Sequence, residues 1–171
     1  MSDADRQGQG KGPTGGKRKD IHERALGLLA VRQRSRRELE RRLVHAGFES
    51  EAVDAELERL ERVGLIDDGA FARAVVESRM GRRGESRRAV AGKLALAGVD
   101  RDLAAQALDD AGIDEQTVAD QLAMTRSARL AGLEPPVAFQ RLSGFLARRG
   151  YAPEVARRAA RRALAVEGVD D

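Results

Sequence analysis

SRRELERRLVHAGF, residues 35–48, returns as SRRAVAGKLALAGV at 86–99 and more loosely as AFQRLSGFLARRGY at 138–151. Gly47, Gly98 and Gly150 coincide, as do Leu39, Val90 and Leu142, and Leu43, Leu94 and Leu146. Apolar residues four apart share one face of an α-helix, so each block reads as an amphipathic helix. A glycine closes each block, because a left-handed helix end carries little strain only without a Cβ. The residue after each glycine is apolar: Phe48, Val99 and Tyr151. A second helix follows, with Leu57, Leu108 and the smaller Ala160 at matching places. The period of 51 and then 52 residues is too long for a standard helix-pair solenoid and suits a three-helix module. One such module is a marginal core by itself, so a row of them stabilises itself through neighbour interfaces.

Working outward, Ile21, Ala25, Leu28 and Leu29 form the apolar face of a leading helix. Ser35 and Glu38 have the spacing of a capping box. Ser50 starts a helix that carries Val53, Leu57 and Leu60 inward, and Asp67 or Asp68 caps another containing Phe71, Ala72 and Val75. Glu134-Pro135-Pro136 is a firm break, Pro153 suits a first turn, and Ala138 stands in the third block where Ser35 and Ser86 stand in the others. No run alternates with the period of a strand. The reading is all-α: an elongated array of three tandem three-helix, helix-turn-helix-like repeats. The boundaries are a disordered basic tail at 1–19, a first repeat with its leading helix at 20–66, a second repeat at 67–113, a third at 114–166, and a C-terminal tail at 167–171. The tail at 1–19 has no apolar residue beyond Met1 and Ala4, too few to offset its ordering entropy.

The composition agrees. The 171 residues are 35% charged and only 3% aromatic, and their apolar set is mostly Ala, Leu and Val, which favours helices over sheets. There is no cysteine, which excludes disulfides, thiolate chemistry and cysteine-bound metals. No apolar run approaches a membrane span and no signal-peptide core opens the chain, so a cytoplasmic location is expected. No HExxH and no phosphate-binding G-x-x-x-x-G-K-[ST] is present; GKGPTGG at 10–16 lacks the flanking strand and the Lys-Ser/Thr. Asp67-Asp68 could pair as carboxylates for a metal or acid–base step, but the glycine and apolar helix behind them fit capping. The aromatic residues fall on apolar helical positions or behind turn glycines and read as core. No catalytic residue, cofactor or metal site is assigned, and the chain is not expected to be an enzyme.

The net charge is only +3, so distribution says more than the sum. Arginines crowd the first block, whereas the helix after it carries Glu49, Glu51, Asp54, Glu56, Glu58 and Glu61. A second acidic run spans Asp109 to Asp120. The chain end is basic again, with Arg157/Arg161 and Arg158/Arg162 spaced four apart on one stripe. A DNA-reading helix-turn-helix puts its second helix between phosphate walls, and the acidic second helix of the first repeat opposes that. A stand-alone helix-turn-helix DNA-binding regulator therefore remains the alternative to a protein that offers basic and acidic patches to a composite partner.

The stretch GLIDDGAFARAVVESRMGRRG, residues 64–84, resembles the signature of the RecX family of bacterial RecA regulators. An apolar pair precedes Asp67-Asp68, Phe71-Ala72 follow two residues later, and the helix ends in a basic glycine turn. SRRELERRL before it and the Ser86-to-Gly98 block after it keep the family's order, so the resemblance covers residues 20–166. It implies binding to RecA, free or as its nucleoprotein filament, together with single-stranded and double-stranded DNA. Separately from the resemblance, no membrane partner is expected, and a monomer is expected because nothing in the sequence demands a dimer. It also implies inhibition of RecA's ATPase, filament extension and strand exchange, and so a role in recombination, DNA repair and the SOS response. Asp67, Asp68, Phe71 and Ala72 fall on the family signature and are read as structural. Asp67-Asp68 are expected to start a helix that closes the first module, with Phe71 and Val75 locked inside. Arg79, Arg82, Arg83, Arg87 and Arg88 would then lie at the joint between modules. With Arg34, Arg36, Arg37, Arg157, Arg158, Arg161 and Arg162 they are the candidate RecA or DNA contacts.

Overall fold

The computed structural model describes residues 20–165. The tail readings at 1–19 and 167–171 lie outside those residues. Among the described residues the chain is entirely helical. The first module comprises α1 (Ile21–Val31), α2 (Arg36–His45) and α3 (Ser50–Arg62). The second comprises α4 (Asp68–Val76), a π-helical turn (Glu77–Arg82), α5 (Arg87–Ala97) and α6 (Arg101–Asp110). The third comprises α7 (Glu115–Ser127), a 3₁₀ turn (Ala128–Leu130), α8 (Pro135–Arg148) and α9 (Pro153–Leu164).

Three separate cores lie in a row, as an elongated array requires. Ala25, Leu39, Leu43, Val53, Leu57, Leu60 and Ile66 form the first. Phe71, Ala72, Val76, Met80, Val90, Leu94 and Leu108 dominate the second. Leu142, Leu146 and Tyr151 sit among buried alanines of α7 and α9 in the third. The expectation that the Asp67-Asp68 helix closes the first module is therefore corrected. Ile66 turns back into the first core, while Phe71 and Ala72 pack against α5 and α6. The helix is the opening element of the second module, because its apolar face matches theirs.

A second repeat, not seen in the sequence reading, lies in the opening helices. Asp20, Asp67 and Asp114 are spaced equally along the chain, and each is the residue before such a helix. Ala25, Ala72 and Ala119 follow at the same offset and all are fully buried. The opening helix of each module thus places a small, fully buried side chain at the same point. The connection to the middle helix is longest in the second module, which fills most of it with the π-helical turn. Two capping details also differ from expectation. Glu38 N–H donates to the Ser35 hydroxyl at 3.2 Å, but the Glu38 carboxylate turns to Arg32, Arg34 and Arg42, so only half of the capping box forms. Ala138 is no cap at all: α8 begins at Pro135, and Ala138 is buried inside it.

Candidate protein and nucleic-acid interface

The joints between modules follow one rule. At the first, the Ser35 hydroxyl donates to the Ala97 carbonyl at 2.5 Å, while Gly98 lies against the stem of Arg37. At the second, Ser86 N–H donates to the Arg149 carbonyl at 3.2 Å, and Gly150 lies against Ser86. Each serine thus caps its own helix and docks on the glycine turn of the following module. The opening carboxylates complete the rule. Asp67 accepts from Ala70 N–H at 2.8 Å, capping α4, whereas Asp68 reaches back to accept from Arg36 N–H at 2.8 Å. Asp114 caps α7, and Glu115 reaches back to Arg87 N–H at 3.1 Å. One carboxylate of each pair satisfies its own helix and the other satisfies an orphan N–H of the preceding module.

This geometry sorts the candidate arginines. Arg34 is buried, 6% exposed; its Nε donates to the Leu28 carbonyl at 3.0 Å and its guanidinium pairs with Glu38. It ties α1 to α2 and faces no partner. Arg36 is half-buried against Asp54 and Glu61, at 3.5 and 3.7 Å. Arg79 donates to Glu85 at 2.9 Å, and Arg87 pairs with Asp109 at 2.6 Å. Arg162 pairs with Asp120 at 2.5 Å, and Arg161 is half-buried beside it on α9. Arg37, Arg82, Arg83, Arg88, Arg157 and Arg158 are exposed. The candidates are thus divided between internal ties and outward cations.

Two carboxylates anchor the cations at the joints. Burial alone would raise the Glu38 carboxyl, but the bond from Arg42 and the charges of Arg32 and Arg34 outweigh it and hold it below the ordinary glutamate range. Glu85 behaves alike: burial raises it, and the bonds from Lys93 and Arg79 more than reverse this. Tyr151 lies inside the second joint and donates its hydroxyl to the Gly84 carbonyl at 3.0 Å. Burial pushes its phenol up to about 12, helped by Glu115 and opposed by Arg149.

The sequence reading missed Lys93, Arg126 and Phe145 as surface-forming residues and left Arg148 and Arg149 out of the candidates. Phe145 packs against the third core but is only half-buried, with the Arg126 and Arg149 guanidiniums at 5.1 and 5.0 Å from its ring centre. The available signal was the internal alignment, which sets Arg148-Arg149 opposite Leu96-Ala97. The third helix of the first module, α3, keeps an acidic outer face, with Glu51, Asp54, Glu58 and Glu61 exposed and Glu49 exposed just before it. Among the described residues no group of three or more His, Asp or Glu side chains is placed to hold a metal, and no helix is long and apolar enough to cross a membrane.

The sequence matches the family model for the first three-helix domain of RecX over residues 22–60 and that for the second over residues 67–108. The regulatory protein RecX of Thermobifida fusca is 39% identical over 174 residues, which cover 97% of this chain and 94% of that one. Its counterpart in Streptomyces coelicolor is 43% identical over 148 residues, or 85% of this chain and 78% of that one. The crystal structure of RecX from Lactobacillus salivarius aligns with a TM-score of 0.72 at 18% identity, over 85% of this chain and 96% of that one, a likeness of fold.

Proposed function

The chain belongs to the RecX family of regulatory proteins, and from that premise we propose that it binds the RecA recombinase and its filament on single-stranded DNA. Bound there, it lowers ATP hydrolysis, filament extension and strand exchange, and so modulates recombination, DNA repair and the SOS response. The chain is a regulator, not an enzyme. The observation that carries the filament reading is the charge pattern of one continuous array. An exposed acidic face on α3 stands at one end and exposed arginines of the second joint and of α9 stand toward the other. A bare duplex repels the first, whereas a filament of protein and DNA offers a complement to both.

The test is single-stranded-DNA-dependent ATP turnover by RecA, with this protein titrated from below to above stoichiometry at two salt concentrations. Inhibition is expected, and inhibition well below stoichiometry means that filament growth is blocked. Unchanged turnover together with tight, steeply salt-dependent binding to naked DNA would replace this reading by the stand-alone DNA-binding regulator.

A further inference from the structure

A cavity opens at each inter-module joint, and four positions of the repeat line both, the first adding Arg24, Leu28, Arg41, His45 and Ala46. At the first joint Glu38, Arg42, Leu96 and Ala97 border about 580 Å³. At the second, Ala89, Lys93, Arg148 and Arg149 take those places, with Arg83 and Glu85 completing a space of about 350 Å³. The backbone plan is shared, so the difference is one of chemistry. Where the first joint has leucine and alanine, the second has two arginines. Glu85 is the one carboxylate of the second lining, and it is already held by Arg79 and Lys93. Arg83 and Arg148 are exposed and have no carboxylate partner among the described residues. Arg149 bridges two features: it spans the joint to the Arg83 carbonyl, and it lies on the Phe145 ring that Arg126 also covers.

We propose that this second-joint notch is the seat of a single-stranded nucleic acid. Arg83 and Arg148 grip backbone phosphates, and the Arg149–Phe145–Arg126 stack gives a neighbouring base its platform. An acidic protein segment needs the cations but has no use for the stack, whereas bases stack on aromatic rings and on guanidinium planes alike. The proposal deepens the filament reading by naming where the strand lies, and it rests on that reading for its biological meaning.

The experiment uses the full chain without RecA. A labelled oligothymidylate is titrated by fluorescence anisotropy across a salt series, with wild type, Arg83→Gln, Arg148→Leu and the double variant. Leucine already occupies the equivalent exposed position at Leu96, so Arg148→Leu suits the fold; each single variant reports even where the double one unfolds. Loss of two phosphate contacts is expected to weaken binding roughly tenfold or more and to flatten the log–log salt slope by about 1.4. Each single variant gives about half the change in slope. Polyglutamate of equal charge should compete poorly. Wild-type affinity and slope in the variants would overturn the site, and equal competition by polyglutamate would reassign it to an acidic protein segment. RecA turnover separates the two readings. Inhibition of RecA alongside unaltered variant binding sinks the notch alone, whereas notch-dependent binding with no effect on RecA sinks the regulatory reading alone.

Discussion

Glu38 and Glu85 show how single residues tie a module together beside its joint. Each carboxylate gathers cations from separate elements: Arg32, Arg34 and Arg42 for Glu38, Arg79 and Lys93 for Glu85. Both are held below the ordinary glutamate range when folded, so their stabilisation is complete above about pH 4.3 and is lost as pH falls through the lowered folded value. Thermal melts between pH 7 and 3 should therefore show a melting temperature that drops in the acid range. Glu38→Gln and Glu85→Gln should each lower it at pH 7 and flatten the acid limb. Melting curves that fall in parallel with wild type would show that other carboxylates govern the acid response. Arg34 teaches the complementary lesson. From the sequence it is one arginine among many in a basic block, yet folding turns its guanidinium onto the Leu28 carbonyl and Glu38. Its Glu38 partner lies only four residues on, but the Leu28 carbonyl that fixes its Nε is supplied by α1, so its burial depends on how the module packs.

At the scale of the element, the three turn glycines look alike in sequence and differ in what surrounds them. All have positive φ: 90° at Gly47, 79° at Gly98 and 95° at Gly150. A methyl at Gly47 meets open space, whereas one at Gly98 would stand 2.6 Å from the Arg37 Cβ, and one at Gly150 would stand 2.5 Å from the Ser86 hydroxyl. Gly47→Ala should cost only the left-handed strain, about 1–2 kcal/mol. Gly98→Ala and Gly150→Ala should add about 1–3 kcal/mol of overpacking at the joint. Chemical denaturation of the three variants checks this, and equal losses would mean that the joints yield freely. The serines follow the same logic. Ser35 and Ser86 both cap and dock, so their helices carry serine. In α8 the first two residues are Pro135 and Pro136, which have no N–H for the carboxylate that Arg36 and Arg87 meet, and Ala138 serves only as core.

Across the whole molecule, three small cores depend on two joints for mutual support, as in other repeat arrays. Weakening the first joint with Ser35→Ala and Gly98→Ala together should uncouple the first module, which then unfolds ahead of the others. Guanidinium titration followed by circular dichroism should show one transition in wild type and two in the double variant; a single transition of undiminished slope in the variant would contradict this coupling. Much of this architecture was legible in the sequence. Ala/Leu periodicity, cap residues and glycine ends are written within a turn or two of where they act, so helix type, the repeat of the middle helices and the Ser35 cap could be read directly, whereas the choice between Asp67 and Asp68 and the core that Phe71 joins could not. The opening-helix repeat was hidden, because only Asp20, Asp67, Asp114 and the buried alanines mark it while the outer positions vary. The sequence by itself determined that the chain is a tandem array of helical modules with segregated charge. Only the tertiary structure decided which module owns α4, which arginines are ties and which face outward, and that Arg83, Lys93, Arg148 and Arg149 converge on one notch. Helix formation is governed by neighbours along the chain, whereas the partner of a long charged side chain is supplied by whatever element packing brings beside it.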